Sequence, residues 1–218
     1  MKPPSSLSLA TPQGGRPLAD RQSRIRGGKL DPVLQRRQLL ALAALWAHGA
    51  RAAVEEPPTG WVNPRQIAPA LSLQCADGRP RNLRQLLAGR VTAVQLMFTG
   101  CTTSCPLQGA LFAQVAGKLP PQNLQLLSIS IDALGDDAKT LAQWQGRFGH
   151  HAAWAAGVPA VGDVDALAGY LRGVSARAGT HTAQVFAFDS QARLVYRTGD
   201  APRAALVVEL LTHIAGQG

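Results

Sequence analysis

Residues 91–99 form a nearly continuous apolar run with β-branched side chains, and the run stops at Gly100-Cys101-Thr102-Thr103-Ser104-Cys105-Pro106. An apolar run without polar alternation suits a strand covered on both faces, so helices must flank the sheet on each side. Pro106 suits the first turn of a helix, and Leu107, Leu111, Val115 and Leu119 recur at helical spacing until Pro120-Pro121. The pattern predicts a buried strand, a short loop and a helix starting at the second cysteine, with those four residues on its apolar face.

The surrounding sequence extends the same plan. Residues 71–75 read as a short strand entering an Asp77-Gly78 turn, and Asn82 as the N-cap of a helix over 83–88 closed by Gly89. Residues 124–131 repeat the buried-strand pattern. Asp136-Asp137 then cap a helix over 138–148, and a further helix covers 163–171. Residues 183–189 and 193–197 read as a hairpin, before Pro202 opens a last helix through 214. Parallel βαβ pairing followed by an antiparallel hairpin points to an α/β, thioredoxin-like sandwich with a central mixed sheet flanked by helices.

Charge divides the chain unevenly. Its 22 Lys and Arg face 13 Asp and Glu, a formal net charge of +9. Residues 1–52 carry +7 of this and the remainder only +2. The nearly neutral body lacks the concentrated basic face of a phosphate binder, so nucleic-acid binding is not expected. No run of about 20 apolar residues is present, which excludes a multi-span helical membrane protein.

Arg36-Arg37, an apolar stretch over 39–47 and Ala50-Arg51-Ala52 follow the order of an export signal. The Arg-Arg-Gln-Leu-Leu core is similar to a twin-arginine signal, from which Gln35 and Ala41 depart, so the route of export stays open. The sequence thus divides into a disordered extension plus export signal (1–52), a Glu-Glu-Pro-Pro linker region (53–62) and one domain (63–218). The expected location is the periplasm, with membrane contact only through an uncleaved leader. In an oxidising compartment cysteines tend to be paired or metal-bound.

The strand-to-helix junction is where chemistry concentrates in open α/β sheets. Free N–H groups and the positive end of the helix dipole favour thiolates there. Cys101 and Cys105 can close a disulfide or hold one soft metal ion together. Thiolates favour Cu(I), and an imidazole completes a compact three-coordinate site. His181, just before the hairpin strand, is the candidate third ligand.

Phe98-Thr99-Gly100-Cys101-Thr102-Thr103-Ser104-Cys105-Pro106, Ser128-Ile129-Ser130-Ile131-Asp132 and His181-Thr182 before a strand ending in Asp189 resemble the SCO/SenC family of copper-binding, thioredoxin-like proteins. The likeness covers about residues 71–211. It implies Cys101, Cys105 and His181 as ligands of copper, as Cu(I) with Cu(II) left open. It implies a metallochaperone role: delivery of copper to, or thiol reduction at, the CuA site of cytochrome c oxidase. The expected partner is the CuA-bearing subunit or another periplasmic copper or thiol protein. A carrier is expected rather than a turnover enzyme; the alternative is a general thiol-disulfide oxidoreductase using Cys101 and Cys105 as its redox dithiol. The sequence departs from the family pattern at Thr102-Thr103, where Pro-Asp is usual, at Thr180, where an acid is common, and in a short segment over 173–179.

Other residues have plainer readings. Cys75 is expected to be a packed thiol, Asp132 a strand-end turn or cap residue at least as readily as a residue of the site, and Trp144 and Phe148 helix packing. His150-His151 follow a helix end, where imidazoles meet the last carbonyls favourably.

Overall fold

The computed structural model describes residues 57–120, 123–174 and 182–217. The leader reading and the position of His181 lie outside these residues. Eight strands are present among the described residues: β1 Gly60–Ile67, β2 Ser72–Cys75, β3 Pro80–Asn82, β4 Val91–Met97, β5 Leu124–Ser130, β6 Trp154–Pro159, β7 Val185–Phe188 and β8 Arg193–Arg197. The helices are α1 Leu83–Leu87, α2 Ser104–Ala116, α3 Ala138–Gly146, α4 Val164–Arg172 and α5 Ala204–Ala215, with a 3₁₀ turn at Val161–Asp163.

One mixed sheet runs in the order β1-β8-β7-β4-β5-β6-β2-β3. Strands β4, β5 and β6 are parallel, whereas β7 and β8 pair antiparallel on one side and β2 and β3 on the other. This is the expected mixed sheet flanked by helices.

Strand β4 sits fourth from one edge and is buried at every position. Ala93 and Met97 face a core that includes Phe112, Trp144, Val207 and Leu211 from α2, α3 and α5. Val94 and Leu96 face the opposite core, with Leu83, Leu87, Leu167 and Leu171 from α1 and α4. Two covered faces explain the uniform apolarity of the run, since alternation appears only where one face meets water.

Three strands were not anticipated, the short β3 over Pro80–Asn82 among them. β1 takes up Gly60–Ile67, beginning within the stretch read as linker; its residues are mostly exposed, and its pairing with β8 shifts register between Trp61 and Gln66. β6 carries Ala-Ala-Gly in its centre and so lacks a β-branched signature.

The apolar face of α2 also differs from the expectation. Leu107 is 73% exposed, and the buried face runs through Cys105, Gln108, Phe112 and Val115. At 3.6 residues per turn, Leu107 lies roughly 160° round from Cys105. The loop delivers the helix with Cys105 against the core, and this rotation turns Leu107 outward. Gly109 completes the face: a Cβ there would stand 2.4 Å from atoms of the Phe148 ring, so glycine permits the close approach of the segment following α3.

The double acid before α3 divides its work. Asp137 is the N-cap, accepting from Thr140 N at 2.8 Å, and Thr140 Oγ1 accepts from Asp137 N in return. Such a cap contributes about 1 kcal/mol. Asp136 instead turns inward, towards the cysteine loop.

Candidate metal and dithiol centre

The main chain leaves β4 at Met97 and reverses in a turn in which Cys101 N donates to Phe98 O at 3.2 Å. Helix α2 follows three residues later. Its N-cap, Thr103, makes no side-chain cap bond. Cys101 Sγ fills that role, accepting from Cys105 N at 3.4 Å, with Thr103 Oγ1 at 3.7 Å and Ser104 Oγ at 3.9 Å. The first sulfur therefore takes a helix N–H that would otherwise lack an intrahelical partner.

The two thiols are unequal. Cys101 is 8% exposed and Cys105 1%. Burial pushes the Cys105 thiol up to about 12; hydrogen bonding with Cys101 adds to the rise, and a backbone hydrogen bond at Phe98 opposes it. The helix terminus was expected to favour the thiolate, but for Cys105 loss of solvent outweighs it.

Two consequences follow for the metal-free protein. Iodoacetamide at pH 8 should label Cys101 well before Cys105, a ranking that peptide mass spectrometry of briefly treated protein reads directly; equal labelling would contradict the asymmetry. Because the folded Cys105 value lies above the unfolded value of about 8.5, its contribution to stability is complete below that pH and declines as pH rises towards 12.

Cys75 stays apart from this pair. It is 2% exposed, its burial raises its thiol above the usual value, and Sγ lies 3.8 Å from Leu73 O. Its strand, β2, stands three positions from β4 in the sheet. At about 4.8 Å per strand this exceeds the ~7 Å Cα limit for a disulfide.

Asp132 accepts from Gly135 N at 2.9 Å, in keeping with a turn role. Trp144 and Phe148 pack edge to face at 4.9 Å. His150 and His151 border a shallow cleft with Gln145 and Trp154. Among the described residues no cluster of three or more His, Cys, Asp or Glu is placed to hold a metal ion.

The structure does fix the chain beside His181. Gln108 Nε2, one turn beyond Cys105 on the same helix face, donates to Thr182 O at 3.1 Å. Asp200 Oδ1 also holds this segment, accepting from Ala183 N at 3.0 Å and from Thr182 Oγ1 at 3.1 Å. Sequence reading missed Gln108 and took Asp136 only for a helix cap. Gln108 is not among Leu107, Leu111, Val115 and Leu119, the residues read as the apolar face, so no signal for it was available before the rotation of α2 was known.

A thioredoxin-like sheet carrying a Cys-x3-Cys pair at the mouth of α2 defines a dithiol protein whose two sulfurs can share one soft ligand or exchange with a disulfide. The SCO1/SenC family model matches residues 63–215, and the chain belongs to that family.

Solved structures share the fold at low identity. A SCO1/SenC family lipoprotein from Bacillus anthracis str. Ames is 18% identical, with 71% of this chain and 99% of that chain covered and a TM-score of 0.58. BsSco, described as a member of the Sco family of cytochrome c oxidase assembly proteins with a disulfide switch, is 16% identical over 68% and 93%, TM-score 0.58. Bradyrhizobium japonicum ScoI with copper bound is 17% identical over 68% and 99%, TM-score 0.53. No curated protein matches the sequence.

Proposed function

We propose that this protein holds one Cu(I) through Cys101, Cys105 and His181 and passes it by ligand exchange to thiolates of a partner, the CuA-bearing subunit of cytochrome c oxidase. The supporting observation is the Gln108 tether. Thr182 is bound to the helix that carries Cys105, and His181 is the next residue, with about 3.8 Å between adjoining Cα atoms.

The donor set suits the metal. Two sulfurs are soft ligands, and the loop between them, Thr102-Thr103-Ser104, carries no charge. Bound copper would be cargo, held by ligands that a partner's sulfurs replace in turn. ScoI from Bradyrhizobium japonicum was solved with copper bound, and the Bacillus anthracis relative is a lipoprotein; these support the copper reading and an exported location. No helix among the described residues is long and apolar enough to cross a membrane.

Anaerobic Cu(I) titration of the full chain against a competing chelator tests the reading. Wild type should bind one equivalent. His181→Ala should weaken binding by more than the roughly 10- to 100-fold that loss of an outer-shell partner costs. Unchanged affinity would remove His181 from the ligand set.

The asymmetry of the thiols favours a second reading, thiol-disulfide exchange. The Cys101 thiolate would attack a partner disulfide, releasing one partner thiolate and forming a mixed disulfide. Cys105, deprotonated as that step proceeds, would attack Cys101 Sγ and release the second partner sulfur. Two electrons pass to the partner, whose sulfurs take up two protons, and a Cys101–Cys105 disulfide remains. Retained dithiol reactivity in His181→Ala would separate this chemistry from copper binding.

A further inference from the structure

Asp136 is 7% exposed and stands at the entry to α3, yet its carboxylate serves the cysteine loop. Oδ2 accepts from Thr99 N at 3.0 Å and from Ser130 Oγ at 2.6 Å, while Oδ1 accepts from Thr99 Oγ1 at 2.5 Å. Three donors thus converge on one buried side chain from the ends of two parallel strands, β4 and β5. Thr99 is a central residue of the turn that Cys101 N closes onto Phe98 O. Both the main chain and the side chain of Thr99 are therefore held.

We propose that Asp136 is a positioning residue for the dithiol: its carboxylate clamps the 98–101 turn and so keeps Cys101 Sγ against the first turn of α2. The geometry makes this a local device. Ser130 Oγ, which donates to the carboxylate, also accepts from Asp132 N at 3.1 Å, so the strand end and the loop after it are tied to the same point. Without the clamp, Thr99 N and Oγ1 lose their acceptor, and the cheapest recovery is for the turn to open towards water. Cys101 then leaves the Cys105 N–H and becomes accessible, and the two sulfurs lose the spacing at which they can share a ligand. The claim about metal affinity rests on the proposed copper site; the claim about Cys101 does not.

Cys75 supplies an internal control, since it is buried in β2, away from the loop. In the metal-free full chain at pH 8, per-cysteine alkylation should show Cys101 reacting about tenfold faster in Asp136→Ala, with Cys75 unchanged from wild type. Thr99→Val, which removes the Oγ1 donor and keeps the N–H, should act in the same direction to a smaller extent. It also provides a milder variant if Asp136→Ala fails to fold.

Cu(I) competition on the same variants should show weaker binding. If wild type binds no Cu(I), the copper reading fails while the alkylation result still judges the clamp. Cys101 reacting at or below its wild-type rate in a folded variant would overturn the proposal. So would Cys75 accelerating by the same factor as Cys101, because that pattern marks general destabilisation.

Discussion

Tight Cu(I) binding should be lost when either Cys101 or Cys105 is replaced by serine, in the anaerobic chelator competition where wild type is expected to bind one equivalent. Once one sulfur holds the ion, the second binds intramolecularly, and removing it forfeits an advantage of about 10² to 10⁴ in affinity. A hydroxyl does not restore it, because a hard neutral oxygen is a poor ligand for a soft monovalent ion. The two variants should lose copper alike but differ in stability. Cys105 is the more buried, so its serine hydroxyl is the harder to satisfy, at a cost of about 1–3 kcal/mol. Melting curves recorded alongside separate lost ligation from lost folding. Retention of wild-type affinity by a folded Cys101→Ser protein would end the copper reading.

The second large effect concerns the core beneath the site. Trp154, at the start of β6, packs against Phe112 at 5.8 Å and Trp144 at 5.9 Å between ring centroids. Its Nε1 donates to Ser128 Oγ at 2.9 Å, which also accepts from Gln95 Nε2 at 2.8 Å. Trp154→Ala should destabilise the domain by about 3–5 kcal/mol in urea unfolding, through the cavity and the lost ring contacts. Trp154→Phe keeps much of the ring and removes the donor, so it should cost less, with about 1 kcal/mol from the hydrogen bond. A loss below about 1 kcal/mol for the alanine variant would show that the aromatic cluster does not brace α2 and α3 against the sheet.

The elements that sequence reading missed have features in common. β1 is an edge strand with mostly exposed side chains, β3 is three polar or exposed residues, and β6 has small residues at its centre, so none carries the apolar continuity that announced β4 and β5. The rotation of α2 was hidden for a related reason. Leu107, Leu111, Val115 and Leu119 form one stripe at helical spacing, and Cys105, Gln108, Phe112 and Val115 form another. Only the loop's delivery of the helix chooses between them.

Asp136-Asp137 shows the limit most plainly. Both acids read as capping residues, and Asp137 is one. Asp136 answers instead to Thr99, 37 residues earlier in the chain.

What the sequence determined by itself is local: a buried strand, a turn, and two sulfurs four residues apart at the start of a helix. Those relations depend on backbone geometry over a few residues and on the need to bury an apolar run. The tertiary structure decided which sulfur is the more accessible, which carboxylate grips the turn, and that the chain beside His181 is tied to α2 through Gln108, 74 residues from Thr182. Such pairings depend on how strands order themselves in the sheet, and nothing in the periodicity of either partner records the identity of the other.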